Sequence, residues 1–191
     1  MMNRDACLTV LESLRGDKVV VTTMGAAAPW ARLSNSDLDF PSVGSAMGHA
    51  ADFAMGLALA QPQRQVWVLN GDGSMLMSLG TLVTIRQTPP ANLVLFVLEN
   101  NTYEVTGNQP IPGAGQISLV QMAKGAGFAQ VHRFDCTEIM SESLPSILNE
   151  PGPTFVALRV EPGQEPPPKL DRPLREISAE FRKALQSRPR G

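Results

Sequence analysis

The chain has 191 residues, 43% of them apolar and 18% charged, with a net charge of −2. That length supports one domain with a sizeable core, and the scattered Lys and Arg leave no nucleic-acid footprint. The apolar runs are too short to span a bilayer, and the N-terminal MMNRDACLTVLESLRGD carries charges where a signal peptide needs its apolar stretch, so a cytoplasmic protein is expected. Cys7 and Cys136 lack metal-ligand spacing and are read as small core residues.

In chain order, residues 3–15 read as a helix capped by Asn3 or Asp5 and ended by Gly16. KVVVTT, 18–23, is a β-branched strand. Residues 24–42 read as irregular, with a short helix near Trp30. GSAMGHAADFAMGLALAQP, 44–62, is a loop feeding a helix apolar on all sides, hence buried. A strand at 65–70 is followed by a helix over 74–87 with Ser74 as its N-cap. LVLFVL, 93–98, is an uninterrupted apolar strand, as expected when both faces of a parallel sheet are covered. The long loop 99–116 follows, and loops of that length in compact domains are usually functional.

Next come a helix at 118–125, a strand at 128–134, a helical stretch at 137–149 interrupted or restarted at Pro145, and a strand at 154–160. Residues 162–173 carry five prolines and read as a surface arm, and 174–187 has the spacing of an amphipathic helix docking on the domain or on a partner. About five strands alternating with helices imply an α/β fold, a doubly wound parallel sheet with helices on both faces. The domain is expected over 1–161, with 162–191 as arm and terminal helix.

NGDGSMLM, 70–77, holds the candidate chemistry. An apolar strand stops at Asn70, and Asp72 stands alone between Gly71 and Gly73. Asp-Gly is ordinary turn chemistry. It also suits a site where the glycines admit an anion and Asp72 holds its metal. Asn100 ends the next apolar strand, and one right-handed crossover puts both residues on the same sheet edge, where ligands of such folds bind. A carboxylate, an amide oxygen and a loop carbonyl suit Mg²⁺, which is usually completed by phosphates and water. A dinucleotide-binding reading fails, because Leu76 stands where the third glycine belongs and no acidic residue closes the next strand in place.

GDGS at 71–74 followed by ENN at 99–101 resembles the signature of thiamine diphosphate enzymes. The surrounding VGSAMGHAADFAMGLALAQPQRQVWVLNGDGSMLM, the loop YEVTGNQP and the tail VEPGQ…LDRP are similar to the pyrophosphate-binding domain of phosphonopyruvate and sulfopyruvate decarboxylases, over roughly 18–173. The resemblance implies thiamine diphosphate and Mg²⁺ as cofactors. It implies Asp72, Asn100 and the Thr102 carbonyl as metal ligands, with Asn101 as the fallback amide. Gly44, Ser45, Ala46, Met47, Gly71, Gly73, Ser74, Asn100 and Tyr103 are the implied cofactor contacts. GSAMG is one residue longer than the group's GSMG, which leaves the Ser45 and Ala46 contacts open by one position.

Met47 matches the bulky residue that wedges under the cofactor and bends it, or else is core. His49 is a general acid or diphosphate contact, or a helix-start residue with a local hydrogen bond. Thr106 and Glu104 are candidates to face the substrate. Glu99 is either a group supporting the metal ligand or a solvated strand end. Met75, Met77 and His132 are read as structural. Arg32 and Lys124 are candidates to select an anionic substrate.

Members also need a glutamate on a pyrimidine-binding domain, which this chain lacks. The resemblance therefore implies a separate partner subunit that supplies it, in a hetero-oligomer, with the chain self-associating when alone. The implied activity is decarboxylation of a small 2-oxoacid. An acetolactate synthase-like carboligase subunit and a non-catalytic regulatory subunit are the alternatives.

Overall fold

Three consecutive valines after Lys18 start the sheet. Val19–Thr22 forms β1, and every one of its side chains is buried. In the computed structural model, which describes residues 1–44, 46–164 and 168–186, β1 lies inside a six-stranded sheet. The order is β2 (Asp39–Pro41), β1, β3 (Val66–Gly71), β4 (Leu93–Glu99), β8 (Thr154–Arg159), β7 (Gln130–Phe134), and all five pairings are parallel. A separate antiparallel pair, β5 (Thr102–Tyr103) and β6 (Gln109–Pro110), sits in the loop after β4.

Strand alternation divides the core. Val20, Trp67, Leu69, Phe96 and Val156 face a layer made by α1 (Arg4–Arg15), α2 (Met24–Ala31) and α7 (Thr137–Asn149). Val19, Val68, Leu95 and Phe155 face α3 (Ala50–Ala60), α5 (Thr81–Gln87), α6 (Leu119–Ala126) and α8 (Leu174–Leu185). Trp67 and Phe96 meet edge to face at 5.2 Å, a geometry their ring quadrupoles favour. Ala51, Ala54 and Ala58 are buried on α3, where small side chains let the helix lie close to the sheet.

The helix ends follow local chemistry. Asn3, not Asp5, caps α1 by accepting from the Ala6 N–H at 3.0 Å. Ser118 caps α6, and Gly127 closes it with φ 98°. α8 docks on the domain itself: Phe181 is buried and its ring meets Phe40 of β2 at 5.1 Å. Residue 187, the expected end of that helix, lies outside the described residues.

Four expectations need correction. The short helix expected near Trp30 is α2, but the rest of 24–42 is not all irregular: β2 adds a sixth strand at the sheet edge, too short to carry an alternation signal. The expected helix over 74–87 is two helices, α4 (Asp72–Met77) and α5, parted at Ser78–Gly80. Ser74 is not its N-cap, since α4 starts at Asp72 with Gly71 in the cap position. Finally, α7 runs through Pro145 without a break. Burial of Met140 and Leu144 in the core outweighs the one lost backbone hydrogen bond.

The cysteines part company. Cys7 is fully buried, its Sγ lies 3.4 Å from Met140 Sδ, and burial pushes its thiol up to about 12. Cys136 is not core; it precedes α7 half-buried, with Sγ 2.9 Å from Glu138 Oε2. A maleimide at neutral pH should therefore label Cys136 and leave Cys7 untouched until the chain unfolds, because the thiolate is the reactive species. Peptide mapping by mass spectrometry reads this directly, and rapid labelling of Cys7 in the native chain would contradict its burial.

Candidate functional site

The strand order places β1 between β2 and β3, so the chain steps outward from β1 to β2 and then crosses back past β1 to β3. Ligands of open parallel sheets bind beyond the strand ends at such a switch point. A cavity opens there, walled by Gly25 after β1, Asp72 after β3 and Asn100 after β4. Thr23 anchors this edge, with both its N–H and its hydroxyl bonded to the Leu69 carbonyl, at 3.0 and 3.1 Å.

Asp72 is 2% exposed. Its Oδ2 accepts from the Asn101 N–H at 2.6 Å and its Oδ1 from the Gly73 N–H at 2.7 Å. Burial raises the carboxyl to about 6, partly opposed by these backbone bonds. Asn100 is held from both ends. Its Oδ1 accepts from the Thr102 N–H at 3.0 Å, and its Nδ2 donates to Glu104 Oε2 at 3.0 Å. These two neighbours fix which end of the amide is oxygen. The Oδ1 keeps a second lone pair, and Asn100 and Thr102 both line the cavity. Asn101 does not line it; its backbone is left-handed, with φ 63°, and its Oδ1 accepts from the Gly115 N–H at 3.2 Å.

The expected cofactor contacts divide in the same way. Ala46, Met47, Gly71, Gly73, Ser74 and Tyr103 line the cavity. Met47 is 58% exposed, so it is not core. The Ser74 hydroxyl is buried with no hydrogen-bond partner. Gly44 has φ 71° and lies outside the lining. The Ser45 contact falls outside the described residues. His49 is not in the wall either: its Nδ1 lies 2.8 Å from Asp52 Oδ2, the local partner of a helix-start residue. Thr106 lines the cavity, and its hydroxyl is bonded to Gln109 Oε1 at 2.9 Å.

Met75 is core as expected, whereas Met77 is 48% exposed and lines the cavity. Glu99 does not line the cavity, and its carboxylate lies 3.5 Å from the Arg133 guanidinium. His132 sits beside Gln130, with its pKa lowered by burial. Neither Arg32 nor Lys124 lines the cavity, and Arg32 pairs with Asp5 at 3.4 Å. The cation that does reach the wall is Arg4, which sequence reading missed. It lies on the first turn of α1, remote in sequence from every motif, and no local pattern marks it.

A carboxylate, an amide oxygen and a backbone carbonyl form a hard-oxygen set. Among the described residues no three His, Cys, Asp or Glu side chains cluster for a metal.

The family model for the thiamine pyrophosphate enzyme C-terminal TPP-binding domain matches residues 21–158, a span that contains Asp72, Asn100 and the rest of the cavity wall apart from Arg4 and Val160. The chain belongs to this family. Thiamine pyrophosphate is the molecule also called thiamine diphosphate. The chain is 36% identical over 186 residues to a phosphonopyruvate decarboxylase of Streptomyces viridochromogenes, covering 95% of this chain and 46% of that protein. It is 33% identical over 187 residues to the sulfopyruvate decarboxylase subunit beta of Methanothermobacter thermautotrophicus, covering 97% of each. It therefore spans about half of the first relative and nearly all of the second. A thiamine diphosphate-dependent 4-hydroxybenzoylformate decarboxylase of Rhodococcus jostii superposes with a TM-score of 0.72 at 21% identity, over 86% of this chain and 33% of that one, which shows the shared fold. Among the described residues no helix is long and apolar enough to cross a membrane.

Proposed function

We propose that this chain is the pyrophosphate-binding subunit of a thiamine diphosphate- and Mg²⁺-dependent 2-oxoacid decarboxylase, completed by a separate subunit with the pyrimidine-binding domain. The observation that carries this is the meeting of Asp72 and Asn100 on one cavity wall, in a chain matching a beta subunit end to end. Asp72, the Asn100 amide oxygen and the Thr102 carbonyl would hold Mg²⁺, with diphosphate oxygens completing its shell. The unpartnered Ser74 hydroxyl and the open space over Gly71 fit that anion. Met47 stands free in the cavity where an apolar wedge would support the cofactor. When bound, the cofactor supplies the electron sink for carbon–carbon cleavage, and the residues here position it and exclude water.

The substrate is a small 2-oxoacid with an anionic 3-substituent, of the sulfopyruvate or phosphonopyruvate kind. Arg4 is already neutralised by Glu104, at 2.6 Å, so the selecting cation belongs to the partner subunit.

The test is calorimetric titration of thiamine diphosphate with Mg²⁺ into the chain, alone and mixed with a pyrimidine-domain subunit, followed by product analysis with sulfopyruvate. Tight uptake and aldehyde release only in the mixture are the expected results. A hydroxyketone product would make the enzyme a carboligase. Absence of Mg²⁺-dependent uptake in both samples would leave a regulatory subunit as the reading.

A further inference from the structure

Glu104 collects three parts of the chain that are remote in sequence. Its Oε1 takes the Arg4 guanidinium at 2.6 Å, and their side chains are only 6% and 9% exposed. Its Oε2 accepts from Asn100 Nδ2 and from the Gly163 N–H, each at 3.0 Å. Gly163 in turn accepts through its carbonyl from Asn108 Nδ2 at 3.1 Å, so the arm after β8 is tied to the loop that carries Glu104. A side chain at position 163 would run into Arg4 and Glu104 and displace that pair, so the arm passes over it on a glycine.

Burying an ion pair is costly, and a hydrophobic pair of the same volume often stabilises a fold as well or better. Here the carboxylate does something an apolar residue cannot. It accepts from the nitrogen end of Asn100, which leaves the oxygen end as the one that can face a ligand. We propose that Glu104 is a positioning residue that acts through Asn100: it fixes the orientation of that amide, with Arg4 holding the carboxylate in place. This rests on the reading of Asn100 as a metal ligand. Outer partners that orient ligands typically change metal affinity by about 10- to 100-fold when removed.

The test uses Mn²⁺ in place of Mg²⁺, with thiamine diphosphate present, and reads free Mn²⁺ by electron paramagnetic resonance. It is run on the full chain, or on the two-subunit mixture if only the mixture takes up cofactor. Glu104→Gln should weaken Mn²⁺ binding by about tenfold or more. Glu104→Asp keeps the charge opposite Arg4 while withdrawing the acceptor by one methylene; it should lose affinity too, and it serves if the glutamine variant does not fold. In an Asn100→Asp background the ligand has no nitrogen end to orient, so Glu104→Gln should then cost nothing.

Asp72→Ala separates the failures. If it leaves Mn²⁺ binding unchanged, or if the wild type binds none, the metal reading itself falls and this inference with it. If Asp72→Ala abolishes binding while both Glu104 variants keep the wild-type affinity, the inference alone falls. An equal loss from Glu104→Gln in the wild-type and Asn100→Asp backgrounds would make the role merely structural and overturn it as well.

Discussion

Replacing Asp72 with alanine should weaken Mg²⁺-dependent binding of thiamine diphosphate by about 100-fold or more, the scale of truncating one member of a buried charge pair. The cause is specific to this carboxylate. It is buried at 2% exposure, and burial lifts its pKa from 3.8 to about 6. The folded chain thus holds the proton more tightly than the unfolded one. Below about pH 4 both states are protonated and the residue is neutral to stability. Above about pH 6 the native carboxylate is ionised in a poor solvent, at a cost to the fold of roughly 3 kcal/mol.

On the proposed reading, a divalent cation held by Asp72 would offset that cost. Metal-dependent cofactor affinity in the wild type should therefore rise with pH through about 6 and level off above it, as the proton stops competing. In the Asp72→Ala chain this step should vanish together with the affinity. Isothermal titration across pH 5 to 8 reads both effects. Retention of tight Mg²⁺-dependent binding by the alanine variant would remove Asp72 from the metal site.

What was legible in the sequence was what is local. Buried parallel strands are continuous apolar runs, so β1, β3, β4 and β8 stand out, and their alternation with helices dictates the doubly wound sheet. Asp72 and Asn100 were legible because each ends such a run and a single crossover joins them. β2 was hidden because three residues, one of them proline, carry no period. The break between α4 and α5 was hidden because the residues on both sides favour helix. The chain packs tightly at that break: a Cβ on Gly48, at φ 87°, would come within 2.8 Å of Met77 Cβ and 2.9 Å of Ser78 Oγ. Arg4 and Gly163 were out of reach for a different reason. Each matters only through Glu104, 100 and 59 residues away in sequence, and no window-based pattern spans that distance.

The two glycines flanking Asp72 look equivalent in the sequence, but in the structure they have different uses. A Cβ on Gly73 would meet Tyr103 Cε1 at 2.6 Å, Tyr103 Cδ1 at 2.7 Å and Ile111 Cγ2 at 3.2 Å. Neither neighbour can retreat cheaply. Tyr103 is paired with Gln109 in the small sheet, and Ile111 is 4% exposed. The bareness of Gly73 is therefore already used, by an aromatic ring that forms part of the cavity wall. Gly71 lines the same cavity, and a Cβ there would meet nothing within 4 Å.

Gly73→Ala should accordingly lower thermal stability by about 1–3 kcal/mol, the usual cost of overpacking, and lose cofactor affinity as the ring is pushed aside. Gly71→Ala should fold with wild-type stability and still bind the cofactor less tightly, because its methyl group would occupy the space that the proposed site assigns to the diphosphate. Thermal unfolding without ligand and titration with thiamine diphosphate and Mg²⁺ separate the two variants. Equal melting temperatures for both would refute the assignment of Gly73 to Tyr103. Undiminished cofactor affinity in Gly71→Ala would place the diphosphate elsewhere in the cavity.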